Sequence, residues 1–242
     1  MAWGRGLRYL ALMPTRHFTP GLFAFLRDLA EHNDRAWFKA NQDRYEETVR
    51  RPALAFVEDL AEPLLGLSRH FTADPRPLGG SLFRIQRDTR FSKDKTPYKT
   101  HTGMHFRHVA TREDVHAPGF YLHLEPGNCF AALGLWQPAT PHAQAIRTAM
   151  VERPDAWKRA TRRPPFSTAY ALGEGDLLVR PPAGFPADHP LVDDLRRRDF
   201  TAMARLTQAR VTAPGFLGDY VGTMRAGLPF MRFLCEALGL SI

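Results

Sequence analysis

Six cations stand within 17 residues of one segment: Arg84, Arg87, Arg90, Lys93, Lys95 and Lys99. Only Asp88 and Asp94 oppose them, so the segment carries +4 of the whole chain's formal +8. Arginine offers planar bidentate donors and lysine a point charge, a combination that suits phosphate or carboxylate. Ser92 and Asp94 can hydrogen-bond the local backbone, and Pro97 holds Thr96 extended, so the donors should converge on a short ordered loop. Leu82 to His101 is therefore the expected functional surface. Arg84, Arg87, Arg90, Lys95 and Lys99 are its expected ligand-binding residues. The plainer alternative is an ion-paired turn that locks a strand to a sheet, with Arg87 on Asp88 or Arg90 on Asp94. Two acids cannot neutralise six cations, which favours the ligand reading.

Groups able to move protons lie in and beyond this segment. Asp88 shares a strand face with Arg84 if residues 82–88 are extended. Tyr98 beside Lys99 reads as an acid–base pair or as an aromatic packed on the sheet. His123 and Glu125 share one strand face, where Glu125 either acts as general base or balances Arg84. Asp88, Tyr98, His123 and Glu125 are the expected catalytic groups. On a helix His101, His105 and His108 would share a face and could ligate zinc. A strand instead turns His105 and His108 to opposite sides, so no metal site is expected, and no cofactor; His116 lies further on. Ser92 has no nucleophile-elbow context, and neither a P-loop nor a G-x-G-x-x-G is present.

The elements that must position these groups follow from periodicity. Thr19-Pro20 starts a helix carrying Leu22, Phe23, Phe25, Leu26 and Leu29. Asp34 caps a second, with Trp37, Phe38, Tyr45 and Val49 on its apolar side; Pro52 kinks or restarts it before the run Leu54 to Leu64. The middle of the chain changes period. Strands are expected over Ser81–Asp88, Met104–Val109, Phe120–Glu125 and Cys129–Trp136, the last two joined as a hairpin through Glu125-Pro126-Gly127-Asn128. Thr140-Pro141 starts another helix, and Asp155–Ala160 is a short one. Residues 162–190 read as loop around one short strand, Asp176–Val179. A short helix over Leu191–Arg197, an edge strand over Phe200–Leu206 and an amphipathic helix opened by Ala213-Pro214 complete the chain. This is an α+β class with a central, mostly antiparallel sheet packed against N-terminal and C-terminal helices.

Composition narrows the classes. The chain has 242 residues, 44% hydrophobic and 24% charged, enough to bury a core without disulfides or a structural metal. One domain over 17–242 is expected, after a loosely attached extension over 1–16 that resembles a secretory signal poorly; translation from Met13 would lose nothing downstream. No apolar run reaches membrane-spanning length, so no membrane partner is expected. Cys129 and Cys235 are far apart in apolar contexts, which reads as two buried free thiols in a reducing, cytoplasmic setting. The basic balance, with a pI near 9.9, raises nucleic acid as a partner, although arginines on solvated helix faces account for it equally well.

The pattern formed by Arg84, Arg87, Asp88, Arg90, Phe91, Ser92, Asp94, Lys95, Pro97, Tyr98, Lys99 and Thr100 resembles the signature of the domain-of-unknown-function family 2461. The resemblance runs from about Phe18 to Leu238. It takes in the Trp37-Phe38 and Asn41 region, Tyr121 to Pro126, Trp136 to Pro138, Ile146-Arg147 and Gly184 to Pro190. It implies an α+β domain of microbial origin with no established activity to carry over. One departure is local. The family has a glycine-rich stretch before the tryptophan, where this chain reads Ala131-Ala132-Leu133-Gly134-Leu135-Trp136, which would narrow any site whose ligand approaches that backbone. Two functions remain. One is a site for an anionic small molecule, with or without turnover. The other is a module for nucleic acid or an acidic protein using the same cations. The first needs a concave pocket with Asp, Glu, Tyr or His at its floor, the second an open basic stripe.

Overall fold

A computed structural model of the chain describes residues 16–111, 117–173, 175 and 177–242. The expected N-terminal extension, apart from Arg16, lies outside the described residues, as does His116. Helix α1 (Pro20–Glu31) begins where Thr19-Pro20 predicts, with Thr19 extended but its hydroxyl uninvolved. Asp34 does cap α2 (Arg35–Ala40), accepting from the amides of Ala36 and Trp37 at 2.8 and 2.9 Å. The helical path continues through α3 (Gln42–Tyr45), a π-turn at Glu46–Arg50, and α4 (Arg51–Leu67). Pro52 does not stop it. A proline lacks the N–H for the preceding turn, and the wider π-turn just before it absorbs that loss.

The sheet follows. Strands β1 (Thr102–Arg107), β2 (Gly119–Leu124) and β3 (Cys129–Leu135) form a meander. Helices α5 (Thr140–Glu152), α6 (Pro154–Arg162) and α7 (Phe166–Ala169) come next, then β4 (Ala171–Leu172), α8 (Val192–Leu195), β5 (Phe200–Leu206), α9 (Gln208–Val211) and α10 (Phe216–Ala237). The strand order is β1-β2-β3-β5-β4, every neighbour antiparallel. The fold is thus α+β with a five-stranded antiparallel sheet. β5 is not an edge strand: β3 pairs along its whole length, and β4 covers two of its residues on the other side. Residues 81–88 are not a regular strand either. They make single bridges, Leu82 to Met104 and Gln86 to Tyr98, because the chain leaves β1 to fold back on itself. The expected strand at 176–179 reduces to one bridge, Leu177 to Arg197, with Asp176 outside the described residues.

Alternation assigns the two faces. Phe106, Phe120, Leu122, Leu133 and Ala202 point to one side and are buried. Helix α10 covers that side. It comes so close to β3 that a Cβ on Gly227 would stand 2.1 Å from Leu133 Cδ2. The buried side chains form one continuous cluster, from Phe18 through Trp157 to Cys235. Arg147 belongs to the scaffold, its guanidinium donating to the carbonyls of Leu195 and Arg197 at 2.8 and 2.7 Å. The other side of the sheet carries Gly103, His105, Tyr121, His123, Phe130, Ala132 and Met203, and no helix among the described residues covers it.

Candidate functional site

The open face of the sheet is the floor of a cleft of about 700 Å³. Its walls are mostly apolar. Phe83 comes from the irregular segment before β1, Phe130 from β3 and Met203 from β5. Trp136 stands at the rim, 56% exposed. It is presented by a turn in which Gln137 takes a left-handed φ of 48° and donates its amide to Asp199 at 2.6 Å. Such a conformation is costly outside glycine and needs a fixed partner. Ala132 and Gly134 lie in the floor, at the stretch where the sequence departs from the glycine-rich pattern.

The polar groups gather at one part of this cleft. Lys99 is half-buried, its ammonium 5.3 Å from the centre of the Phe83 ring, and no carboxylate pairs with it among the described residues. Burial, and then the charge of Arg84, push its pKa below the ordinary lysine value. His123 bonds to the Tyr121 hydroxyl through Nδ1 at 3.0 Å and to Glu125 through Nε2 at 3.3 Å. Burial raises the Glu125 pKa, but the hydrogen bonds from Asn128 and His123 outweigh it and hold the carboxyl below its usual range. An ionised carboxylate only accepts, so Nε2 carries the imidazole hydrogen and Nδ1 accepts from the tyrosine. Burial drives Tyr121 above its ordinary value, which keeps that hydroxyl protonated. The three form a hydroxyl–imidazole–carboxylate chain. Burial also lowers His123, takes His101 down to about 4 with help from His123 and Lys99, and takes His105 to about 4.

Glycine makes room for this arrangement. Gly103 sits opposite His123 in the β1–β2 register, and a Cβ there would stand 2.4 Å from the Tyr121 hydroxyl. The tyrosine ring lies where only a hydrogen can be tolerated.

The expected site residues therefore separate. Lys99 and His123 line the cleft, and Glu125 stands beside it, bonded to His123. Asp88 and Arg90 pair with each other outside it, at 2.7 and 3.0 Å and with exposed side chains. Arg87 bonds to Asp94 and to Thr96. These are ion-paired turns, with partners exchanged relative to the pairs expected from sequence. Lys95 donates to the Thr89 carbonyl at 2.9 Å. Arg84 is exposed near Lys99. Tyr98 points the other way from its neighbour Lys99, into the core, stacked on Phe38 with ring centres 4.1 Å apart. Its backbone is pinned by Asn33, which donates to the Tyr98 carbonyl at 3.0 Å and accepts from its amide at 3.1 Å. His108 faces away as well, bonded to the Ser241 carbonyl at 2.8 Å and stacked on His70.

Sequence reasoning missed His101 as a neighbour of His123, their ring centres 4.5 Å apart, and it missed Asn33, Asn128 and the aromatic walls. The two-residue period that put His123 and Glu125 on one face carried the signal for Phe130, and extended one step before β1 it also reaches His101. Both cysteines are buried and free. No helix among the described residues is long and apolar enough to cross a membrane. A family model described as "Conserved hypothetical protein (DUF2461)" matches residues 21–233. No curated protein and no solved structure matches the chain.

Proposed function

The chain belongs to the DUF2461 family of conserved hypothetical proteins, and we propose that its open-face cleft binds a small molecule with an apolar body and an anionic end. One observation carries this reading: Lys99 is a half-buried ammonium in an aromatic-walled cleft with no carboxylate to pair it among the described residues. A desolvated charge of that kind is costly until a counter-ion arrives. Arg84 and Arg87 stand near enough to contribute field, while Arg90 and Lys95 serve the loop itself. The apolar walls take the rest of the ligand. Tyr121, His123 and Glu125 add a chain that can take a proton from a bound ligand at the Tyr121 oxygen and pass it through His123 to Glu125, which equips the same cleft for acid–base turnover of what it binds. A cytoplasmic location, where Cys129 and Cys235 stay reduced, belongs to the same reading.

Fluorescence titration with anilinonaphthalene sulfonate, an apolar anion, tests it, with a medium-chain carboxylate as competitor. Saturable binding at one site per chain is expected, weakened about tenfold in Lys99→Met and unchanged in Arg90→Ala. Equal affinity in wild type and Lys99→Met sinks the reading. Displacement of the probe by oligonucleotides with a steep salt dependence would instead favour a nucleic-acid module.

A further inference from the structure

Three ligand-type side chains meet beside the cleft on the open face of the sheet. The β1–β2 register pairs Thr102 with Leu124 and Gly103 with His123, and one further step places His101 opposite Glu125. Gly103 has no side chain, so nothing separates His101 from His123. One ligand atom from each of His101, His123 and Glu125 lies within 4.8 Å of the others. The ring of His101 makes no hydrogen bond among the described residues. The other two are oriented from outside the triangle. Tyr121 holds His123 Nδ1 at 3.0 Å, Phe130 stacks on its ring at 4.5 Å, and Asn128 donates to Glu125 Oε2 at 2.9 Å. The atoms left facing inward are His123 Nε2 and the Glu125 carboxylate.

We propose that His101, His123 and Glu125 bind one divalent transition-metal ion, of the zinc or ferrous class, at the polar part of the cleft. Two imidazoles and a carboxylate are the borderline donor set such ions take, and three protein ligands leave positions for water or a ligand oxygen. Ligand bonds near 2.1 Å set tetrahedral donors roughly 3.4 Å apart, so side-chain shifts of about 1 Å close the triangle. The surroundings of His123 and Glu125 also match what metal sites need, since a ligating histidine donates its second ring N–H to a fixed partner and a ligating carboxylate is itself hydrogen-bonded. The ion takes Nε2, which puts the imidazole hydrogen on Nδ1 facing the Tyr121 oxygen. The tyrosine's own hydrogen is then free to point into the cleft. This inference goes beyond the anion-binding reading and does not depend on it, because the ion needs no organic ligand.

Titration of chelator-treated full-length protein with cobalt(II), followed by visible absorption and by zinc(II) competition, tests the site. One equivalent per chain is expected, at micromolar affinity or tighter. His101→Ala and Glu125→Gln each weaken it by roughly a hundredfold or more, and Asn128→Ala by roughly tenfold, as loss of an outer hydrogen bond does. His70→Ala, which removes one member of the other histidine pair, leaves it unchanged. Thermal unfolding of each metal-free variant confirms that it folds. Absence of binding overturns the proposal, and so does binding that His101→Ala and Glu125→Gln both leave intact. Lys99→Met retains one equivalent of cobalt, so failure of the anion reading and failure of the metal site are told apart.

Discussion

The basic loop around residues 84–96 and the polar part of the cleft hold similar residue types under opposite conditions. In the loop, Arg90 reaches Asp88 two residues away in solvent, and the half-buried Arg87 reaches the exposed Asp94 across a turn. Lys95 answers a carbonyl of the same loop. In and beside the cleft, Lys99 and His101 are half-buried and have no such partners among the described residues, while His123 and Glu125 come from another segment. Charges close in sequence can satisfy one another cheaply, and exposed pairs of this kind contribute little to stability. Charges drawn from separate segments into a partly dry cleft remain under-compensated. The density of charge that marks the loop in the sequence is thus in part neutralised locally, Arg87 by Asp94 and Arg90 by Asp88.

The sharpest contrast sits inside one dipeptide. Tyr98 is core and Lys99 is cleft. Tyr98→Ala removes a ring stacked on Phe38 and should cost about 3 kcal/mol in denaturant unfolding. Lys99→Met should leave stability within about 0.5 kcal/mol while weakening the apolar anion about tenfold. A Lys99 variant that unfolds as readily as Tyr98→Ala would erase the distinction between the two regions. A smaller effect tests the floor. Gly103→Ala must displace Tyr121 and break its bond to His123, with an expected loss of about 1–2 kcal/mol and a several-fold loss of probe affinity. Wild-type stability and affinity in Gly103→Ala would mean that Tyr121 is not held there.

Much of this arrangement is legible in the sequence. Two-residue alternation puts Phe120, Leu122 and Leu124 on one face and Tyr121, His123 and Glu125 on the other, and the Glu125–Asn128 turn marks the hairpin. Alternation does not say which face a helix will cover; that is decided by α10, which lies about a hundred residues further along. Residues 81–88 read as a strand, with Leu82, Phe83 and Ile85 apolar among polar residues. Their backbone partners, however, divide between β1 and the return segment 97–99. β5 reads as an edge because the two-residue strand that flanks it has no periodicity to detect. The meeting of His101 with Glu125 escaped notice for a related reason, since His101 precedes β1 and reaches Glu125 only through register.

The smallest effect concerns the loop alone. Arg90 holds Asp88 at about 2 and Arg87 holds Asp94 at about 2, both below the ordinary 3.8. A depressed carboxyl favours the folded contact only while ionised. Its contribution is therefore complete above the usual carboxylate range and is lost as pH falls through about 2. Carboxyl chemical shifts of both aspartates should be flat from neutral pH to mild acid and titrate near 2. Asp94→Asn removes the pairing charge at every pH. It should hardly move the thermal midpoint, because the Asp94 carboxylate is open to solvent, yet it should release Arg87 to bind sulfate measurably better than wild type does. Wild-type protein that binds sulfate through the loop as tightly as Asp94→Asn would show that the loop's cations are not already satisfied. The distinction drawn between loop and cleft would then fail at its weaker side.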